Sequence, residues 1–264
     1  MNRKAIINGQ EYTLLETLPS LDGDEPLILC EDESGGKAGC SESLWCRYAL
    51  QDVHSTPVHA HGSSQEKIEY FLSVFKGRED VYARRYHSTT TGKSGYTPAC
   101  KNEWVRGLCD KKKYRCPDCP NREFQPLTAD VAKAHLIGRN PLCRDIAAIY
   151  PMLEDNKTWL LTADFDEENW KLDVTAFSKS CKDAGLVPAV ERSRSGNGAH
   201  VWFFFSEPVS AADARRLGTG LLTRTMSRRH ELSFSSYDRL FPSQDIVPKG
   251  GFGNLIELPF QGQA

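Results

Sequence analysis

The stretch Trp159-Leu160-Leu161-Thr162-Ala163-Asp164-Phe165-Asp166 runs an apolar segment of strand character into two carboxylates separated by one residue. Successive side chains of a strand alternate between its faces. Asp164 and Asp166 therefore share one face, and Phe165 points to the other, into the core. Two close carboxylates at a strand end suit a hard divalent cation, because Mg²⁺ takes one or two carboxylates, keeps some waters and bridges to phosphate oxygens. The same tripeptide also reads as a solvated turn or a helix cap.

Downstream, Trp170, Val174, Phe177 and Cys181 fall at helical spacing between Asn169 and about Ala184, and Gly185 stops the run. Val187–Arg192 and Ala199–Phe205 then read as two strands joined by Ser193-Arg194-Ser195-Gly196-Asn197-Gly198. This loop is the second stretch with chemistry in it. Gly196 and Gly198 let backbone N–H groups approach an anion, Ser195 offers a hydroxyl, and His200 projects an imidazole from the start of the next strand. Arg192 and Arg194 add positive charge. Together they fit a triphosphate, whereas Gly-Asn-Gly by itself is also a hairpin turn and His200 an ordinary strand residue. Ser210 caps a further helix through about Arg224, and Leu255–Leu258 reads as a last strand. Two-metal phosphoryl transfer needs a further acid to hold both cations within about 4 Å. Asp238 and Asp245 are both candidates, and spacing does not choose between them.

Upstream, Cys100, Cys109, Cys116 and Cys119 stand in the order C-x₈-C-x₆-C-x₂-C. Four thiolates so placed enclose a tetrahedral Zn²⁺ in a closed, structural site, the metal replacing a hydrophobic core in a small insert at about residues 97–122. Reduced, unliganded thiols are the other reading, and it predicts indifference to chelators. Ser63-Ser64-Gln65-Glu66 is a capping box opening a helix that ends at Gly77, and Thr128 caps a short helix through about Leu136. Residues 1–62 form a small β-rich module and linker, with Cys30, Cys40 and Cys46 as buried small hydrophobes, and residues 63–264 form the chemical domain.

A chain of 264 residues with 39% apolar and 26% charged content is of ordinary globular composition. No apolar run approaches a membrane span, and the N-terminus lacks a secretory signal core. With nine cysteines, an odd number at metal-ligand spacing, the expectation is a cytoplasmic protein. The net charge of −2 is uneven: residues 1–62 carry four basic and ten acidic side chains, leaving 29 basic and 25 acidic in 63–264. Arg84 and Arg85, with Lys111, Lys112 and Lys113, are the clusters placed to contact a nucleic-acid backbone, solvated faces being the bland alternative.

Asp164-Phe-Asp166 on a strand, Ser195-Gly-Asn-Gly-Ala-His200 at a strand start and Asp238 in Ser-Tyr-Asp-Arg-Leu-Phe-Pro together resemble the archaeo-eukaryotic primase superfamily, in its primase-polymerase branch. More narrowly, Gly77-Arg-Glu-Asp-Val-Tyr-Ala-Arg84, the four cysteines, Glu191-Arg-Ser-Arg-Ser-Gly196 and Gly250-Gly-Phe-Gly-Asn-Leu-Ile256 resemble the primase domain of TOTE conflict systems. The resemblance covers roughly residues 65–264. It implies a mixed α/β (α+β) fold whose catalytic half is an RRM-like sheet, and template-directed nucleotidyl transfer with two Mg²⁺ or Mn²⁺ ions. It places Asp164, Asp166 and Asp238 as metal ligands, with Asp245 as the fallback third acid. It places His200 at the incoming triphosphate and matches Ser195 with the backbone of Gly196 and Gly198 to the family's phosphate-binding loop, while Arg192, Arg194 and Asn197 are nucleotide-binding candidates from their place in that loop. The implied partners are a single-stranded DNA template, a primer strand and nucleoside triphosphates, in a prokaryotic or mobile-element setting. Similar proteins continue into helicase and nuclease parts, so the chain is expected to be a piece of a longer system. The rival readings are a metal-dependent nuclease using the same acids, and a non-catalytic zinc-containing module that binds nucleic acid.

Overall fold

The structure, a computed structural model, describes residues 4–7, 10–19, 26–48, 62–166, 168–228 and 239–262. The chain divides into two compact units, Met1–Gly62 and Ser63–Ala264.

In the first unit β1 (Lys4–Ile7), β2 (Gln10–Leu18), β3 (Leu27–Asp32) and β4 (Lys37–Ser41) form an antiparallel meander followed by α1 (Glu42–Tyr48). Ala5, Ile28, Cys30 and Trp45 are its core, with Cys40 packed against them. Cys30 and Cys40 are thus apolar filling, and burial pushes both thiols up from their ordinary range. The side chain of Cys46 lies outside the described residues.

The second unit is a mixed α/β fold with antiparallel sheets. Its elements are α2 (Ser64–Val74), β5 (Ala83–His87), β6 (Ser94–Pro98), α3 (Ala129–Ile137), β7 (Ala147–Ile149), β8 (Lys157–Phe165), α4 (Trp170–Lys182), β9 (Ala189–Arg192), β10 (Ala199–Ser210), α5 (Ala211–Met226), β11 (Arg239–Phe241) and β12 (Ile256–Glu257). From β8 onward the order is β-α-β-β-α-β, and the sheet runs β11-β8-β10-β9, so β10 splits the β8-α4-β9 unit. Strand β8 is buried on both sides. Leu161, Ala163 and Phe165 face α4 and α5, where Val174, Phe177, Leu221 and Leu222 meet them. Leu160 faces the other way and packs with Trp202, Phe241 and Phe75. Truncating Phe165 or Phe177 to alanine in such a core costs about 3–5 kcal/mol, so the strand end that carries Asp164 is firmly held.

The second sheet runs β12-β7-β5-β6, and α2 and α3 pack with it. The three caps legible in the sequence form: Ser63 with Glu66 as a full capping box, Thr128 accepting from Val131 N–H, and Ser210 accepting from Asp213 N–H. Strand bounds differ from expectation, β12 being only Ile256–Glu257 where Leu255–Leu258 is expected. Val187 is 88% exposed and precedes β9, while β10 continues beyond Phe205 to Ser210 through an irregularity between Phe204 and Val209. The cysteine segment leaves and rejoins this sheet through the bridge between Cys100 and Phe124 and consists of short turns, including a 3₁₀ turn at Cys116–Asp118.

Candidate active site

Strand register brings the first two chemical stretches together. His200 on β10 lies directly opposite Asp164 on β8, and Ala199 opposite Phe165. The imidazole Nε2 stands 3.5 Å from Asp164 Oδ1, and Nδ1 donates to Glu191 Oε2 at 3.0 Å. Glu191 is itself opposite His200 on β9, and the same oxygen accepts Trp202 Nε1–H at 3.0 Å. Burial pushes the His200 pKa down, but the hydrogen bond and charge of Glu191, with the charges of Asp164 and Glu257, outweigh it and leave it raised. On the other flank Arg239 of β11 pairs with Asp164. Behind Asp164 on the same face, Thr162 Oγ1 is buried without a hydrogen-bond partner. Asp166 is exposed just past the strand end.

The glycine loop packs backbone to backbone on this strand end. A Cβ on Gly198 would meet Phe165 O at 2.6 Å and Asp166 Cα at 3.2 Å, so only glycine fits. Gly196 adopts φ +75°, a left-handed turn that closes the hairpin. The turn is held by Gly196 N–H to Ser193 O and Ser193 N–H to Gly198 O, and by Arg192 Nε donating to Gly196 O at 3.0 Å. Ser195 Oγ accepts Asn197 N–H, and Ser195, Asn197, Arg192 and Arg194 are all exposed beside it. Arg194 Nε reaches Glu257 Oε1 on β12 at 2.8 Å. Glu257 also accepts from the Tyr96 hydroxyl and from Gln261 Nε2, so one carboxylate ties the loop to the second sheet. Burial and that neighbouring charge raise the Tyr96 pKa well above its usual value.

Residues 66–264 match the family described as the Archaeo-Eukaryotic Primase domain of TOTE conflict systems. The chain belongs to this family. No curated protein matches it. Membership gives the archaeo-eukaryotic primase domain a primase-like, nucleotidyltransferase role, with nucleic acid and nucleotides as its substrates.

Within this primase domain the remaining site residues fall unequally. Asp238 lies outside the described residues, although its neighbour Arg239 is the strand partner of Asp164. Asp245 is not brought to the acids: it is ion-paired with Arg215 on α5. Two residues on, Val247 N–H donates to Asn156, beyond the opposite end of β8. Arg84 and Lys111 both serve Glu103, at 2.5 and 2.6 Å, and Arg85 donates to Leu142 O. Those three cations brace the fold, while Lys112 and Lys113 remain exposed. The sequence does not single out Glu191 and Glu257, which the structure sets against His200 and Arg194. A six-residue loop from Ser193 to Gly198 already sets Glu191 opposite His200, so that pairing was legible; the closure of β12 onto the loop was not.

Cys100, Cys109, Cys116 and Cys119 of the primase domain line one small cavity of about 20 Å³. All four are free, and Cys100 Sγ accepts Glu123 N–H at 3.3 Å. No group of three or more His, Cys, Asp or Glu among the described residues stands close enough to hold an ion. Both donor sets nonetheless have the right chemistry: carboxylate oxygens on the β8 end for a hard cation, and four sulfurs around one hollow for a soft one. The sulfurs would have to draw together to bind. No helix among the described residues is long and apolar enough to cross a membrane.

Proposed function

We propose that the domain is a template-dependent nucleotidyltransferase, a DNA primase or polymerase that joins an incoming nucleoside triphosphate to a 3′-hydroxyl. One observation carries the reading: Asp164 and His200 face each other across β8 and β10, with the backbone of the glycine loop packed on the end of β8. That puts acids for a cation and donors for a polyphosphate side by side. A nuclease has no use for the second set, and a binding module has no use for the first. The β-α-β-β-α-β order with sheet order β11-β8-β10-β9 supports an RRM-like catalytic half.

In this reading Asp164 and Asp166, with Asp238 as third acid, would hold Mg²⁺ or Mn²⁺, which when bound supplies Lewis-acid stabilisation and a lowered pKa for the attacking hydroxyl. The chain's own groups do the positioning. Glu191 accepts from Nδ1 and so fixes the ring of His200 with Nε2 turned toward Asp164, 3.5 Å from its Oδ1. A protonated His200 donates there to phosphate oxygens and offsets their charge. The Ser195–Gly198 turn, with the Ser195 hydroxyl and the Arg194 guanidinium exposed on it, receives the departing pyrophosphate. Residues 1–62 form a separate module, and Cys100, Cys109, Cys116 and Cys119 would hold a Zn²⁺ that would stabilise the insert. Helicase and nuclease modules would act on the same nucleic acid.

The test offers a single-stranded template with labelled nucleotides and Mg²⁺ or Mn²⁺, with and without a primer. Extended products are expected from the wild type, and none from the double variant D164A/D166A with an unchanged melting curve. Undiminished extension by that variant sinks the assignment. Shortened labelled strands instead favour the nuclease, and a salt-sensitive mobility shift alone favours the binding module.

A further inference from the structure

Trp104 sits in the cysteine insert, and 74% of its surface is exposed, with Val105 and Leu108 beside it also open to solvent. Its φ of 66° puts a bulky side chain in the left-handed region, which such residues rarely adopt. The turn that presents it is well braced. Leu108 and Cys109 N–H both donate to Val105 O, Asn102 Nδ2 reaches Asn121 O at 2.7 Å, and Asn121 Nδ2 reaches Leu108 O at 3.0 Å. One face of the indole is covered by Lys111, whose Nζ is 4.3 Å from the ring centroid and is pinned by Glu103. The ring is otherwise largely open to solvent.

Charge around this ring points to the ligand. Each acid of the turn region is already used: Glu103 by Arg84 and Lys111, Asp110 by the N–H groups of Lys112 and Lys113, and Asp118 by Arg115. Among the described residues Arg106, Lys112 and Lys113 have no carboxylate partner, and all three are exposed. An open aromatic ring with exposed cations close by in the chain matches an unstacked base flanked by phosphates. The base of a duplex offers no such face, since it is stacked and paired.

We infer that the insert is a single-strand binding element, in which Trp104 stacks on a base while Arg106, Lys112 and Lys113 contact the adjoining phosphates. This rests on the reading that the domain handles nucleic acid, and it adds where a strand is gripped away from the acids. Every base has a π-face, so the grip is indifferent to sequence.

The test titrates the full chain onto a fluorescein-labelled oligothymidylate of about 20 nucleotides, by anisotropy, over a salt series with no nucleotide, divalent cation or chelator. W104A is expected to bind about 5- to 150-fold more weakly, and W104F to recover most of that loss. The triple variant R106S/K112S/K113S is expected to flatten the log–log salt dependence by about 2, at roughly 0.7 per lost phosphate contact. Matching melting curves show that the variants are folded. A fluorescence quench seen in the wild type and absent in W104F gives the same answer without truncation. Binding by W104A within about twofold of wild type overturns the inference, as does an equal Trp104 dependence for a blunt duplex. If the wild type extends primers while W104A binds normally, this inference fails alone. If Trp104-dependent binding holds and nothing is extended, the catalytic reading fails and the inference stands.

Discussion

The end of the β8 sheet and the cysteine insert hold the two sets of candidate metal ligands, and they are built by opposite means. At the sheet, Asp164, His200 and Glu191 occupy one line of cross-strand partners over a continuous apolar core, so regular backbone sets their geometry. In the insert, Cys100, Cys109, Cys116 and Cys119 hang on turns around a hollow, braced by ion pairs such as Lys101–Glu123 and Arg84–Glu103. The Lys101–Glu123 pair is exposed at both ends, and pairs of that kind contribute little stability. A site on strands is organised before its ligand arrives, whereas a site on turns is organised by its ligand. The contrast can be broken experimentally.

The largest effect is expected at Gly198. Alanine there drives a methyl into Phe165 O and Asp166 Cα, so the hairpin has to lift off the strand end. Extension is expected to fall on the order of 10²-fold or more while a thermal melt shows a folded protein, since a misplacement of about 1 Å costs that much. Activity within about threefold of wild type would mean that the loop does not act where it packs. Gly220, with open space at its Cβ, is the matched control and should accept alanine.

Next comes metal removal from the insert. Dialysis against a zinc chelator, or the pair C116S/C119S, is expected to release about one zinc per chain by elemental analysis and to open residues 100–122 to protease. The β8 core should keep its protection. If both regions melt together, the insert is not the separately stabilised element that the contrast requires.

A smaller loss is expected from E191Q, which keeps the shape but weakens the grip on His200 Nδ1. Outer partners of this kind typically cost about 10–100-fold, with most of the loss in kcat. Loss only in KM would place His200 outside the reacting region.

The smallest effect concerns His135, fully buried between Pro259 O, which accepts from Nε2–H, and Ala147 N–H, which donates to Nδ1. This is a neutral imidazole with both nitrogens used, and burial holds its pKa below the ordinary 6.5. The unfolded chain therefore takes up the proton first as pH falls. The contribution is full above about pH 6.5 and is lost progressively below it. Urea midpoints at about pH 7.5 and pH 5.5 should fall further apart for the wild type than for H135Q, whose amide cannot titrate. Equal spacing would assign the acid sensitivity elsewhere.

Sequence legibility followed the same divide. Period-two alternation put Asp164 opposite Phe165 in facing, and Ser63, Thr128 and Ser210 marked helix starts, because these are local rules with local causes. Asp245 looked as good as Asp238 on spacing, yet its pairing with Arg215 follows from the course of the chain after β11, which no local pattern records. The same holds for Lys111, which reads as part of a basic run but is committed to Glu103. Glu257 gathers Tyr96, Arg194 and Gln261 only once β12 is laid beside β7.

That gathering gives the loop arginine an occupation before any nucleotide arrives. Arg194 rests on a carboxylate that is itself largely shielded from solvent, 18% exposed. A ligand that recruits the guanidinium has to outcompete this resident anion. A triphosphate, with several negative oxygens, would win that exchange, whereas a weakly charged ligand would leave the arginine where it is. Under the proposed function the pairing would act as a charge filter, with Glu257 setting the threshold at which a ligand recruits Arg194.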